Sequence, residues 1–293
     1  MCHLIYTDTF YMKRKWIRWV SWILLTPIIL FVILMVLLYV PPVQNLLRRE
    51  VTAYASKATG MQIQVERIDL RFPLNLLVRG VEVIQQPDTL LSLESLNVRV
   101  QAWPLIKGKV EVDEVTLSRV AVNSADLMEG MKIKGVLGRF FLQSHGVDLS
   151  NELAVINQVE LSDTHVQLLM NDTTTTPKDT TASAPINWKV ALHQLKLKNV
   201  SFSMQLPADS MRMAAHIGEA AIDDAQADLK NQYYDLKKFL LSGTSASYDT
   251  GTAQPAEGFD ASHIAVRDIR IALDSLLYKG RDMNAVIREF TMN

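Results

Sequence analysis

The sequence predicts a mainly β protein held to a membrane by an N-terminal helix, and three observations carry this. Trp19 to Val40, "WVSWILLTPIILFVILMVLLYV", contains no charged residue. From Met61 onward apolar residues recur with the period of a strand, as in "MQIQVERIDLRF" and "LLSLESLNVRVQAW". A third signal, a repeated spacing of paired apolar residues, then returns along the chain.

The N-terminal elements follow in order. Residues 1–11 hold nothing recognisable, and Met12 of "MKRKW" is the better start; residues 1–15 are read as a cytosolic N-terminus. Residues 16–40 form the transmembrane anchor, since the uncharged run at 1.5 Å per residue spans roughly 33 Å, about one hydrocarbon core. Pro27 is tolerated in a membrane helix. Trp16, Trp19, Trp22 and Tyr39 sit where interfacial aromatics anchor a span. Lys13, Arg14, Lys15 and Arg18 precede the run, which puts the N-terminus in the cytosol and the bulk outside. The run is too long for a signal-peptide core and lacks a small-residue cleavage site, so an uncleaved anchor is expected.

Pro41 and Pro42 break that helix. An amphipathic helix over 41–60 is expected next, with Val43, Leu46, Leu47, Val51 and Tyr54 on one side and Gly60 as its C′ residue. Residues 61–293 read as strands. In "KVEVDEVTLSRVAV" the pairs Val110/Val112, Val115/Leu117 and Val120/Val122 have internal spacing two and spacing three between pairs. A flat strand would throw alternate pairs to opposite faces. Either the strand is buried on both faces, or each polar doublet (Asp113-Glu114, Ser118-Arg119) is a bulge that returns the next pair to the same side.

The same spacing fits Ile156, Val159, Leu161, Thr164, Val166, then Leu192, Leu195, Leu197, Val200, Phe202, and Ala261, Ile264, Val266, Ile269, Ile271. Ile217, Ala220, Ile222, Ala225 and Ala227 make a weaker copy, and half-copies occur at Val65, Val78, Leu93 and Ile287. Two polar low-complexity stretches, 171–185 and 242–258, read as loops. Between them, residues 228–241 fit a helix through Leu229, Tyr233, Leu236 and Leu240, or strand through Tyr234, Leu236, Phe239 and Leu241; their neighbours favour strand. So many strands with so little helix must bury an apolar face either in a two-layer sandwich or in a curled sheet whose concave side holds something apolar.

Composition and motifs exclude several function classes. Net charge is −1, so nothing points to nucleic acid. Cys2 is the only cysteine, which excludes a disulfide framework and a CxxC metal site. His3, His145, His165, His193, His216 and His263 are scattered without HExxH or carboxylate context. "SDTH" at Ser162–His165 has triad letters, but neighbours on a strand alternate faces. Asp223-Asp224 occupies a doublet slot and reads as a bulge rather than a metal site. No catalytic, cofactor-binding or metal residue is assigned; the chain is read as a non-enzyme with no cofactor.

An N-terminal anchor, a helix ending in "TG", then "VERIDLRF", "LVRGVEVI" and "LLSLESLNVRVQAWPLIKGKVEVDEVTLSRV" resembles the start of the AsmA/TamB superfamily. Gly258 to Phe290, "GFDASHIAVRDIRIALDSLLYKGRDMNAVIREF", is similar to TamB-like translocation and assembly module proteins of the Bacteroidetes type. The resemblance covers nearly all of residues 16–293. It implies an elongated curled antiparallel sheet, a β-taco groove with an apolar interior, in a single-pass protein of the bacterial inner membrane whose bulk is periplasmic.

Taken alone, the groove positions are ordinary core. The resemblance makes them lipid-facing: Val112, Val115, Leu117, Val120, Val122, Val159, Leu161, Leu195, Leu197, Val200, Phe202, Val266, Ile269 and Ile271. The implied function is carriage of membrane phospholipid toward the outer membrane or support of outer-membrane biogenesis. The alternative is a scaffold for outer-membrane protein insertion or secretion with a partner barrel, met through a C-terminal region that this chain lacks. An anchored enzyme with an unrecognised site is the remote third reading. Roughly 15 strands at about 4.8 Å each would give a groove of about 70 Å, so the segment is expected either to be the first part of a longer chain or to pair with another subunit at its last edge.

Overall fold

The computed structural model describes residues 40–71, 74–85, 88–101, 103–104, 111–124, 130–148, 151–170, 187–251 and 258–293. The expected membrane span, with Trp16, Trp19, Trp22 and Tyr39, lies outside the described residues, as does the excursion at 171–185. Among the described residues no helix is long and apolar enough to cross a membrane.

Helix α1 (Pro41–Thr59) begins with proline in its first turn, where the missing N–H costs nothing. It ends at Gly60, whose φ of 70° is the left-handed conformation that glycine adopts freely. The expected boundary is observed, but the packed face is not the expected one. Leu46, Val51 and Tyr54 are exposed, Tyr54 at 77%. The helix lies instead along the outer edge of the first strand, β1 (Gln62–Arg71), whose edge N–H and C=O groups need partners. Gln44 Nε2 donates to Leu70 O (3.0 Å), Arg48 Nη1 to Val65 O (3.1 Å), and Ile63 N–H to Ser56 Oγ (3.0 Å). Unpaired backbone at a sheet edge asks for polar side chains, and this outweighs the helix's apolar stripe.

The remaining strands are β2 (Asn75–Gln85), β3 (Asp88–Val100), β4 (Val112–Asn123), β5 (Met131–Asp148), β6 (Leu153–Met170), β7 (Lys189–Leu206), β8 (Met211–Asp228), β9 (Tyr233–Asp249), β10 (His263–Lys279) and β11 (Asp282–Thr291). All eleven form one sheet in simple sequence order. No second layer covers either face among the described residues; apart from neighbouring strands, only α1 on β1 makes substantial contact.

Three expectations are corrected. The sheet is not wholly antiparallel: β6 and β7 pair in parallel, Leu153 beside Lys189 and Leu168 beside Met204. A parallel neighbour needs a crossover rather than a hairpin, and residues 171–188 supply the length for it. Residues 242–249 are not loop but the second half of β9. Their Ser, Gly, Thr and Ala composition imitates a linker, yet Ser245, Ala246 and Ser247 pair through backbone with His216, Ala215 and Ala214. Residues 233–241 adopt strand, the reading that their neighbours favoured. Finally, among the described residues the strands are fewer and longer than expected, reaching 18 residues in β5 to β8. Such strands are far above the usual length of about six, because each turns corners without breaking its pairing.

Candidate functional site: an uncovered aliphatic face

One transverse row shows how the pattern assembles. Ile68, Val78, Leu96, Leu117, Phe140, Leu161, Leu197, Ala220, Leu241, Ile271 and Phe290 are successive cross-strand partners, one from each strand, and all are apolar. A parallel row beside it runs through Val98, Val115, Leu142, Val159, Leu195, Ile222 and Phe239. Two further rows lie on the other side of a corner. Val120, Leu137, Thr164 and Val200 belong to the nearer one, in which Ile269 stands opposite Thr244. Val122, Gly135, Val166, Phe202, Ala215, Ala246 and Val266 make the farther one.

The structure thus brings thirteen of the fourteen candidate residues into four rows on one face. The fourteenth, Val112, pairs with Val100 beyond a second corner.

The corners answer the parity problem. Residues three apart on a regular strand point to opposite faces, so Leu197 and Val200 share a face only if the chain rotates between them. It does so at Asn199, with φ 52°. Gly80, Arg119, Asp163, Gly243 and Asp268 hold the same left-handed conformation at the matching place in their strands. These residues form a seam across the sheet. From β1 to β9 the pairing register is the same on both sides of it, for example Leu93↔Val120 before and Ser95↔Ser118 after. The expected isolated bulges are therefore a shared fold line in which all neighbours step together.

A second interruption crosses β4 to β10 six residues away, at Asp113, Asn157, His193, Asp224, Lys237 and Asp274. There only Asp224 has positive φ, 55°. The doublet Asp223-Asp224 is thus a corner, as expected.

Burial shows which way the sheet folds. Beside the first seam, on the aliphatic side, Ile68, Leu93, Ala220, Thr164 and Thr244 are buried. On the seam itself Arg119, Asp163, Asn199 and Asp268 are exposed. Crowding on one side and exposure on the other is the signature of a sheet folded toward its aliphatic face. Glycine makes the closest approach possible: a Cβ on Gly138 would stand 2.7 Å from the Cβ of Asp163. Polar pairs run along the outside of the seam, with Arg119 on Glu94 and Asn199 Nδ2 donating to Asp163 Oδ1 at 2.7 Å.

Elsewhere along these rows the aliphatic face is more open among the described residues. Leu195, Leu197 and Val200 are only half-buried, Val122 is 37% exposed and Phe202 40%. A fully buried side chain of this size contributes about 1.5–3 kcal/mol relative to exposure, so this face retains a large unused capacity for apolar contact.

The polar groups find local partners. His145 Nδ1 lies 2.6 Å from Asn157 Nδ2, His193 Nδ1 3.0 Å from Asp224, and His263 Nδ1 2.9 Å from Asp260. Of the "SDTH" letters, Ser162 and His165 share the polar face, Thr164 takes the aliphatic one, and Asp163 is the corner. Among the described residues no cluster of His, Cys, Asp and Glu is placed to hold a metal ion. Sequence reading missed one arrangement, Ser201 beside His216 at 3.0 Å, because its members come from different strands. No family model matches the chain, and no curated protein sequence matches it.

Proposed function

We propose that this chain is a membrane-anchored bridge protein whose aliphatic groove carries phospholipid acyl chains across the periplasm toward the outer membrane. One observation carries the reading: an apolar row crosses the whole sheet, others run beside it, and no layer among the described residues covers them. Each methylene moved from water onto such a surface is worth up to about 0.8 kcal/mol, so an acyl chain gains by lying across the strands. The uncharged run Trp19–Val40 and its preceding cations supply the inner-membrane anchor in this account. Catalysis has no part in it.

A second reading, a scaffold for outer-membrane protein assembly or secretion with a partner barrel, draws on β11. Among the described residues this strand pairs only with β10, and Val286, Ile287 and Phe290 on it are exposed. A free apolar edge suits strand addition by a client. Native mass spectrometry of the detergent-extracted protein separates the two: the lipid reading predicts co-purified phospholipid at defined stoichiometry. Lipid-free protein carrying a stably bound polypeptide would favour the scaffold. Alkaline phosphatase fused after Gly60 is expected to be active, and an inactive fusion would overturn the exported placement.

A further inference from the structure

The polar face carries a separate feature beyond the first seam. His165, Ser201, His216 and Ser245 are cross-strand neighbours there, one from each of β6, β7, β8 and β9. In the adjoining row stand Ser203, Ala214, Ser247 and Ala265. On the other side of the seam this face carries long charged side chains such as Arg139, Lys196 and Lys198. Here the surface sinks into an open depression of about 370 Å³, lined mostly by serine and alanine and also by Phe202 and Val266. Arg267 on β10 borders one side and His165 the other, and no carboxylate lines the space.

We propose that this depression binds a phosphate group. Strands are about 4.8 Å apart, so Ser201, His216 and Ser245 lie within about 10 Å, and Arg267 borders them on the next strand. A guanidinium presents paired donors that match phosphate oxygens, and hydroxyls add neutral donors. His216 engages Ser201 through Nδ1, leaving Nε2 for the ligand. Among the described residues Arg267 has no ion-pair partner, its backbone alone being tied, to Asn293. An unpaired cation beside donors, with no competing carboxylate, favours an anion. The histidine, serine and arginine side chains of the site belong to the face opposite the aliphatic rows, whose Phe202 and Val266 also border the depression, and the site does not depend on the lipid reading.

Phosphate reaches such a site either free or on a lipid headgroup. The test uses the full chain in a phosphorus-free maltoside detergent. Inorganic phosphate is titrated and followed by 31P line broadening; in a second arm, phosphatidylcholine vesicles with and without phosphatidylglycerol are tested by flotation. Saturable binding in the first arm marks a free-phosphate site, and binding confined to phosphatidylglycerol vesicles marks a headgroup site. In either case Arg267→Gln and His216→Gln should weaken binding about tenfold or more, while Lys198→Gln leaves it unchanged. Far-UV circular dichroism checks that sheet content is kept, and Arg267→Lys, which keeps the charge but not the paired donors, should fall between. Absence of binding in both arms, or equal weakening by Lys198→Gln, would overturn the proposal.

Discussion

Leu197 and Lys198 are joined by one peptide bond and belong to different surfaces. Leu197 continues a row that is apolar on all eleven strands. Lys198 continues Arg67, Arg79, Ser95, Ser118, Arg139 and Ser162, and passes on to Glu219 and Ser242. A flat sheet keeps such sidedness by alternation alone, and would lose it at the first corner. Here a left-handed residue on six of the strands rotates the chain at the seam and the neighbouring strands step with it, so the aliphatic face stays aliphatic from panel to panel. The two faces teach that the seam, more than strand propensity, makes a continuous apolar surface. In a sandwich a second sheet would consume that surface; here nothing among the described residues covers it.

The comparison can be broken by moving a charge from one face to the other. Leu197→Asp puts a carboxylate in the aliphatic row without a partner and should lower co-purified lipid about tenfold or more. Lys198→Asp, one residue on, should leave lipid content within experimental error. Equal loss in both variants would mean the faces are not distinct. A smaller effect is expected at the seam. Gly138→Val drives a Cβ against Asp163 and should cost about 1–3 kcal/mol in urea unfolding. Asp268→Gly relieves a left-handed backbone and should gain up to about 1 kcal/mol, whereas Asp268→Val should lose stability.

The smallest effect belongs to the rim, where neither face governs. The N–H of Asn231 donates to Asp228 at 3.1 Å, and this bond, the Asn231 side chain and Lys189 hold the Asp228 carboxyl below its usual range. A depressed carboxyl contributes stability at pH values above the ordinary aspartate range and loses it as acid carries the pH through the lowered value. The protection of the Asn231 amide against exchange, relative to its intrinsic rate at each pH, should therefore fall only in that acid range, with lipid content unchanged as the β8–β9 turn loosens.

Much of this was legible in the sequence. The apolar pairs identified thirteen residues of one face, and the polar doublets marked corners, because side-chain direction follows directly from spacing. Gly60 marked the end of α1 for the same local reason. What was not legible depends on neighbours. That Asn199 and Asp163 belong to one fold line follows from the pairing of β6 with β7, whose parallel sense no local pattern encodes. The tail of β9 resembles a linker until its alanine- and serine-rich partner strand is known. Gln44, Arg48 and Ser56 look like the solvated side of a helix until a bare strand edge is placed against them. The Ser201–His216 cluster likewise exists only once β7 and β8 are side by side.

The central claim is that lipid acyl chains occupy the aliphatic face and not the polar one. The most direct measurement is site-specific photo-crosslinking in membranes, with a photoreactive residue placed in turn at Leu117, Leu195, Leu197 and Ile269, and at Arg119 and Lys198. The account predicts phospholipid adducts at the first four positions and none at Arg119 or Lys198. Equal labelling of both sets, or none at the aliphatic four, would contradict it.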